Sequence, residues 1–559
     1  MVTFDEDKQK KKVAELQTQE AEELARFIAE RHDLPYIDLL TVPLSSDALR
    51  LLKEEEARTG LLAPFRLVGK QVHVAIAAPN NQDTIDRIKE LENAGYSPIL
   101  YVASKKSLGR VWERYAELSL SLETEEGVLE VSSEQVLSYL AEFKSLNSVA
   151  EVIAGVLAGK ERYQTTRILE ILIAGSLATD ASDIHIEPEE TQVMLRYRLD
   201  GVLQEVAAIE ERVFTLLVSR IKILSGMKLN VRDDAQNGRF TIKVHDADIE
   251  VRISTVPGAY GESVVLRILN PKAIAVPFDK LGMEKRLEEI VRREIKKPNG
   301  LILNTGPTGS GKTTTLYAIL RLLNDPTVKI ITIEDPVEYH LPGITQTQVD
   351  SNTAYNFFEG LRSGLRQDPD VIMVGEIRDK ETAETAIDAA LTGHLVLSTL
   401  HTNNAAGTIP RLIDLGVNPK IIGSALTLAL AQRLLRKLCE YCKKEDTPTE
   451  EERKIIAHME PRLRTAFADI QTTRVWRGSK CDKCNNTGYK GRIGIFEAVH
   501  MDAEIEKLAS ENPSEREIKK LMDTQGLLDM GEDGVSKILH GVTSFEEVMR
   551  VIDLSSYAT

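Results

Sequence analysis

The run Gly306, Pro307, Thr308, Gly309, Ser310, Gly311, Lys312, Thr313, followed by Thr314, has the composition of a phosphate-binding loop. Glycines at this spacing let consecutive backbone N–H groups turn inward around phosphate oxygens, and a helix starting at the loop adds partial positive charge. Lys312 then reaches the β and γ phosphates, and the Thr313 hydroxyl takes a place on Mg²⁺. By itself the loop says only that ATP or GTP binds. Glu376 ends the apolar run 371–374, where a carboxylate could act on Mg²⁺ or on an attacking water. Glu338 follows the strand-like run 329–333, and Pro336 forces a sharp exit that aims Glu338 back toward the nucleotide. His394 and His401 bracket the run 395–399, and His401 is the better reader of a γ-phosphate because it follows the C-terminal end. The chain's four cysteines form two Cys-x-x-Cys pairs, Cys439 with Cys442 and Cys481 with Cys484. Four thiolates suit tetrahedral Zn²⁺ in a closed structural site, with redox-active or unmetallated thiols as the alternative.

These residues need elements to place them. The run 300–305 reads as a strand entering the glycine loop and 313–323 as the helix leaving it. Buried apolar strands separated by helices after residue 277 indicate a parallel, doubly wound sheet, whose ligands bind beyond the carboxyl ends of its strands. Residues 163–269 alternate with period two and suggest an antiparallel sheet with helices on one face. Alternating strand-like and helical pieces from 72 to 115 suggest a small α/β domain. The Glu- and Ser-rich residues 120–135 have a linker's composition. Val13, Leu16, Ala21, Leu24, Phe27 and Ile28 fall at helical spacing in 9–32, as in a surface helix docked on its own domain.

At 559 residues and 42% hydrophobic, the chain holds several domains. A mean hydropathy of −0.19 and the lack of a long apolar run oppose a membrane span. The acidic, polar N-terminus lacks a secretory pattern, which places the expected location in the cytoplasm. A net charge of −16 and a pI near 5.3 weigh against a protein that tracks nucleic acid.

The segments 306–318, 331–339, 365–379 and 392–405 together resemble the Walker A, aspartate, Walker B and histidine boxes of secretion ATPases, which drive type II secretion and type IV pilus assembly. The likeness extends through 431–439 and 491–499. It implies an α/β architecture with a RecA-like P-loop core at 276–435, preceded by an α+β, PAS-like N2 domain at 161–275. A helical segment at 1–35, a small N1 domain at 36–118, a linker at 119–160, a tetracysteine zinc subdomain at 436–492 and a helical region at 493–559 complete the expected organisation. It implies ATP, Mg²⁺ and Zn²⁺ as cofactors. Glu338 would polarise the attacking water, Glu376 would act with Mg²⁺ or that water, and His401 would sense the γ-phosphate. Arg362 and Arg366 would line the route to the nucleotide, and Arg252 and Arg267 would reach it from N2. Relatives often read Arg-Arg-x-Pro-Gln-Asp-Gly-Arg where this chain has Arg232, Asp233, Asp234, Ala235, Gln236, Asn237, Gly238, Arg239, so one arginine and a proline are missing. The resemblance further implies a homohexamer, an inner-membrane platform protein as partner, and a cytoplasmic adaptor reached through N1. Membrane association would run only through these partners, at the inner face of the cytoplasmic membrane. The tetracysteine element and N1 favour pilus extension over retraction, with type II secretion as the alternative and a nucleic-acid translocase as the rival. Some relatives bind cyclic di-GMP through an N-terminal segment with an Arg-Leu-Gly start; none stands here, and no such binding is expected.

Overall fold

The computed structural model describes residues 21–557, apart from 40, 41, 43, 50, 69, 114, 116–122, 125–127, 130–132, 144, 160–163, 245–246, 271–275, 351–352 and 354. The chain divides into two compact units, Met1–Thr124 and Glu125–Thr559.

In the first unit, β1 (Leu62–Val68) and β2 (Gln71–Ile76) pair antiparallel, and β3 (Ser97–Val102) joins β2 in parallel after the helix Gln82–Asn93. A two-residue strand, β4 (Glu123–Thr124), ends the unit. Residues 21–31 are helical, while 9–20 lie outside the described residues. That helix docks through Ala25 and Ala29, and Leu24 and Phe27 stay exposed at 61% and 62%. The apolar spacing therefore marks the docked face only in part: Ile28 packs beside Ala25 and Ala29, whereas Leu24 and Phe27 face solvent. The docked side uses small residues that allow close approach, with Glu22 accepting from Tyr36 and Ser104 at 2.8 and 2.6 Å.

The second unit opens with β5 (Val128–Leu129) and helices Ser133–Glu142 and Leu146–Ala158, in the region expected to be a linker. Val136, Phe143, Val149 and Ile153 are buried in a core shared with the following sheet. The acidic composition of 120–130 conceals that an apolar helical pattern begins a few residues later. The sheet includes β6 (Asp183–Pro188), β7 (Val193–Leu199), β8 (Val202–Ile209), β9 (Gln236–Val244), β10 (Ala247–Gly258) and β11 (Gly261–Leu269), with β5 parallel beside β9. These run in the order β5-β9-β10-β11-β6-β7-β8, antiparallel from β9 onward. Period-two alternation sends Ile184, Tyr197, Val251 and Leu266 into the core under the helices Gln164–Ala178 and Glu211–Leu224. The opposite face is polar. Its register aligns Arg239, Arg252, Arg267, Asp183 and Arg198 in one row across neighbouring strands.

The motor sheet has the order β14-β13-β15-β16-β12-β17-β20. Its parallel members are β12 (Gly300–Thr305), β13 (Ile330–Glu334), β14 (Thr345–Gln348), β15 (Val371–Val374), β16 (Leu395–Leu400) and β17 (Leu426–Leu438). On β12, Leu301 and Leu303 enter one core while Ile302 enters another, so both faces are covered. A small antiparallel pair, β18 (Lys444–Asp446) with β19 (Val475–Arg477), and the helix Glu450–Ala466 between them form an excursion after β17. The chain then returns as β20 (Tyr489–His500), antiparallel to β17. Among the described residues no helix is long and apolar enough to cross a membrane.

Candidate functional site

β12 is buried along its whole length and delivers the glycine loop to the carboxyl edge of the sheet. The loop closes only with positive φ at Gly306 (147°), Gly309 (77°) and Gly311 (91°). A Cβ on Gly306 would stand 2.6 Å from both the Gln432 carbonyl and Ser310 Oγ, and one on Gly311 would stand 2.8 Å from Gln432 Nε2. The helix Lys312–Leu323 starts there with no side chain capping it. Its first-turn amides therefore face the loop. Ser310 Oγ is buried without a hydrogen-bond partner among the described residues, while Pro307, Thr308, Gly309 and Thr313 are exposed. Lys312 Nζ donates to the carbonyls of Gly306 (2.7 Å) and Pro307 (3.1 Å). Burial pushes its pKa down, Glu376 partly offsets that, and Arg433 adds to it. An orphaned hydroxyl, uncapped helix amides and a desolvated ammonium fit a phosphate with its Mg²⁺.

β15 lies between β13 and β16, so the residues following these strands emerge side by side. Glu376 accepts from His401 Nε2 at 3.0 Å and is ion-paired with Arg378. Gly375 N–H donates to the Ile333 carbonyl (2.7 Å), and Thr399 Oγ1 donates to the Gly375 carbonyl (2.8 Å), fixing the backbone that carries Glu376. Glu334, 3% exposed, takes hydrogen bonds from Tyr317 and Thr332 and from Gln346 Nε2 at 3.0 Å, a closed set that marks it as structural. Tyr317 is held far above its ordinary pKa by burial and by the Glu334 charge.

Glu338 meets the second domain. Arg252 Nη1 lies 3.1 Å from Glu338 Oε2, Arg252 Nη2 donates to the Val337 carbonyl at 2.8 Å, and Arg252 Nε pairs with Glu250 at 2.7 Å. Arg267 instead pairs with Asp183 at 2.9 Å and is 62% exposed. Arg362 points to Glu359 (3.4 Å) and lies over the Phe358 ring, and Arg366 donates to Ser363 Oγ (3.1 Å). The fold thus gathers Lys312, Glu376 and His401, joins Glu338 to Arg252, and leaves Arg267, Arg362 and Arg366 apart from them. Sequence reasoning did not single out Arg378, Gln432 or Arg433. Gln432 Oε1 accepts from Asn304 Nδ2 (3.0 Å) and Thr315 Oγ1 (2.7 Å), tying β12, the loop helix and β17 together. The signal was their position inside the quoted boxes 365–379 and 431–439, where neither the spacing nor the residue type implies chemistry.

The cysteines lie where β17 and β20 open apart. Leu438 pairs with Tyr489 in the ladder, and Cys439 N–H donates to the Gly488 carbonyl at 2.9 Å, so the register brings Cys439 to the second knuckle. All four sulfurs lie within 4.8 Å of one another, with Cys439–Cys481 and Cys442–Cys484 at 3.8 Å and Cys481–Cys484 at 3.6 Å. A tetrahedron with Zn–S bonds of about 2.3 Å has edges of about 3.8 Å, whereas a disulfide needs about 2.05 Å. The donor set fits Zn²⁺. Burial and the neighbouring thiols push Cys442 up to about 12. At Cys484 burial also acts upward, but hydrogen bonds from the Gly488 and Cys481 backbone and from the Cys481 and Cys442 thiols together outweigh it and bring the thiol down to about 7. The knuckle also touches the second domain: Asn485 Oδ1 accepts from Leu146 N–H (2.9 Å) at the start of a helix, and Asp200 Oδ2 accepts from Gly491 N–H (2.8 Å).

A glycine loop running from a buried parallel strand into an uncapped helix, with carboxylates at the same edge, defines a P-loop nucleotide hydrolase of the α/β class. Residues 160–550 match the family described as "Type II/IV secretion system protein", and the chain belongs to that family. Residues 32–122 match the "MshEN domain". The chain is 45% identical over 385 residues to "Type II secretion system protein E" of Pseudomonas aeruginosa, covering 69% of this chain and 75% of that one. It is 36% identical over 536 residues to "Type IV pilus assembly ATPase PilB" of Myxococcus xanthus, covering 95% and 91%. The fold is shared with the ATPase DotB of Yersinia pseudotuberculosis, at TM-score 0.52 and 19% identity over 71% of this chain and 97% of that one. The protein is therefore an ATPase of the secretion and pilus-assembly family, using ATP with Mg²⁺.

Proposed function

We propose that this chain is a homohexameric ATPase that drives type IV pilus assembly through an inner-membrane platform protein. The observation that carries the choice is the extent of likeness. Similarity to a pilus assembly ATPase runs through the first unit as well as the motor, over 95% of the chain. Similarity to a type II secretion protein is higher in identity but stops at 69%. Service in type II secretion, assembling a pseudopilus, is the second reading and rests on that higher identity.

In this account Gly306, Pro307, Thr308, Gly309, Ser310, Gly311 and Thr314 surround the phosphates, with Lys312 as their cation and Thr313 toward Mg²⁺. The metal supplies charge neutralisation at the transferring phosphoryl group when bound. Glu338 polarises the attacking water, and Glu376, oriented by His401 and Arg378, takes part in the same water or metal network. Arg252 and Arg267 approach the nucleotide from N2. The row Arg239–Arg252–Arg267 supports this, because like charges directly opposite in a sheet repel and a polyanion relieves them. Arg362, exposed on the helix Phe357–Leu365, and Arg366, exposed at its C-cap, serve the path between aspartate box and nucleotide. Cys439, Cys442, Cys481 and Cys484 hold a structural Zn²⁺. The domains at 161–275 and 276–435 move against each other through the Arg252 contact, and residues 36–118 dock on a cytoplasmic adaptor. The protein works at the inner face of the cytoplasmic membrane, attached through these partners, and does not act on nucleic acid. The MshEN match to 32–122 makes cyclic di-GMP titration of the full chain the direct check on the expected lack of binding there.

ATP turnover by the full chain, measured with the platform protein's cytoplasmic domain and separately with DNA, tests the reading. Stimulation by the platform domain alone is expected; stimulation by DNA alone would replace this reading with a translocase. Gene deletion separates the two services: loss of surface pili is expected, and loss of exported enzymes with pili intact would select type II secretion.

A further inference from the structure

Arg433 lies on β17, next to the phosphate loop. Its Nη1 is 3.1 Å from the place a Cβ on Gly306 would occupy. Among the described residues, its guanidinium donates only to carbonyls, Gln432 at 3.0 Å and Asn403 at 2.6 Å. Asn403 belongs to the loop that begins with His401, so one side chain lies beside the phosphate loop and is bonded to the histidine-box loop. Burial lowers the pKa of Arg433 and of Lys312, and the Arg433 charge acts on Lys312 in the same direction, while Glu497 and Glu376 respectively offset these shifts in part. Two partly desolvated cations side by side, each hydrogen-bonded only to carbonyls among the described residues, with Glu376 acting on Lys312 and Glu497 on Arg433 without a direct ion pair, favour an anion that shares them. Ser310 Oγ, buried and without a partner among the described residues beside the same Gly306 position, supplies a neutral donor at that spot.

We propose that Arg433 is a second phosphate-binding cation of the nucleotide site, acting with Lys312 and carrying the histidine-box loop to the phosphates through Asn403. This rests on the reading of 306–313 as the phosphate loop. A guanidinium suits the role because its planar fork can keep one donor on a backbone carbonyl while presenting another to a phosphate oxygen. Lysine in its place retains the charge but lacks the fork that would hold the Asn403 carbonyl and a phosphate oxygen together.

The test is equilibrium titration of the full chain with fluorescent ATP and Mg²⁺, with inorganic pyrophosphate as competitor. Arg433→Gln should weaken both about tenfold or more, the usual cost of losing a charged hydrogen bond. Arg433→Lys should bind within a few-fold of the parent yet turn over more slowly, because the histidine-box loop is no longer tied. Unchanged affinity for both ligands in Arg433→Gln overturns the proposal. Should that variant misfold, phenylglyoxal modification of the parent protein decides: pyrophosphate with Mg²⁺ should protect Arg433 on peptide mapping, and equal modification with and without it refutes the role. Lys312→Ala separates the underlying reading. If it keeps parental affinity, the loop does not hold phosphate and the proposal falls with it; if it loses affinity while Arg433→Gln does not, only the Arg433 proposal falls.

Discussion

Removing Arg252 probes the link between the second domain and the aspartate box. The Arg252–Glu338 pair is partly exposed, 24% and 34%, so solvent screening leaves it about 1 kcal/mol. The bond to the Val337 carbonyl comes from a charged donor and adds about 1.5 kcal/mol. Together these favour the closed arrangement by about 2.5 kcal/mol, roughly 70-fold in population. Arg252→Ala should therefore speed amide exchange in peptides spanning 335–349, measured by mass spectrometry on the nucleotide-free full chain, by up to that factor. The increase stays below it if the Asp200–Gly491 contact keeps the domains together. Glu338→Gln should remove the ionic share alone, about fivefold, and the double variant should add little to Arg252→Ala. Unchanged exchange in Arg252→Ala, or full additivity of the two substitutions, would refute the contact as a coupling between domains.

Other expectations follow from the same geometry. Protein prepared without chelator should carry about one zinc per chain, released by a mercurial as thiols are titrated; a Cys439–Cys481 disulfide in the intact protein would contradict the tetrahedral reading. Asn485→Ala removes the acceptor for Leu146 N–H and should raise exchange at the start of the helix Leu146–Ala158 without loss of zinc. Glu532, desolvated and beside Asp529, has its carboxyl pushed up to about 7 from its ordinary 4.5. The folded state thus keeps a proton that the unfolded state releases, and stability falls as pH rises between those values. Glu532→Gln should flatten this dependence in thermal melts between pH 5 and 8; an unchanged slope would contradict the assignment.

What the sequence disclosed depended on how local each feature is. The phosphate loop and the Cys-x-x-Cys pairs are local, and the residues read from them stand together in space. The apposition of the two cysteine pairs depends on the β17–β20 register, which no short pattern encodes. Arg252 and Glu338 belong to different domains, and nothing in either segment announces the other. Arg433 was invisible for another reason: within an apolar run, an arginine reads as a strand residue with its charge at the surface. Composition misled in the linker, where acidic residues precede helices whose apolar faces are buried. It misled in part at the first helix, where Ala25 and Ala29 with Ile28, rather than Leu24 and Phe27, make the contact.

The central claim is ATP hydrolysis at the 306–313 loop with Glu376 taking part. Steady-state phosphate release by the full chain with Mg²⁺, compared with Glu376→Gln, tests it most directly. The parent should turn over ATP, and Glu376→Gln should bind ATP but hydrolyse it about a hundredfold or more slowly. An unchanged rate in Glu376→Gln would contradict the account.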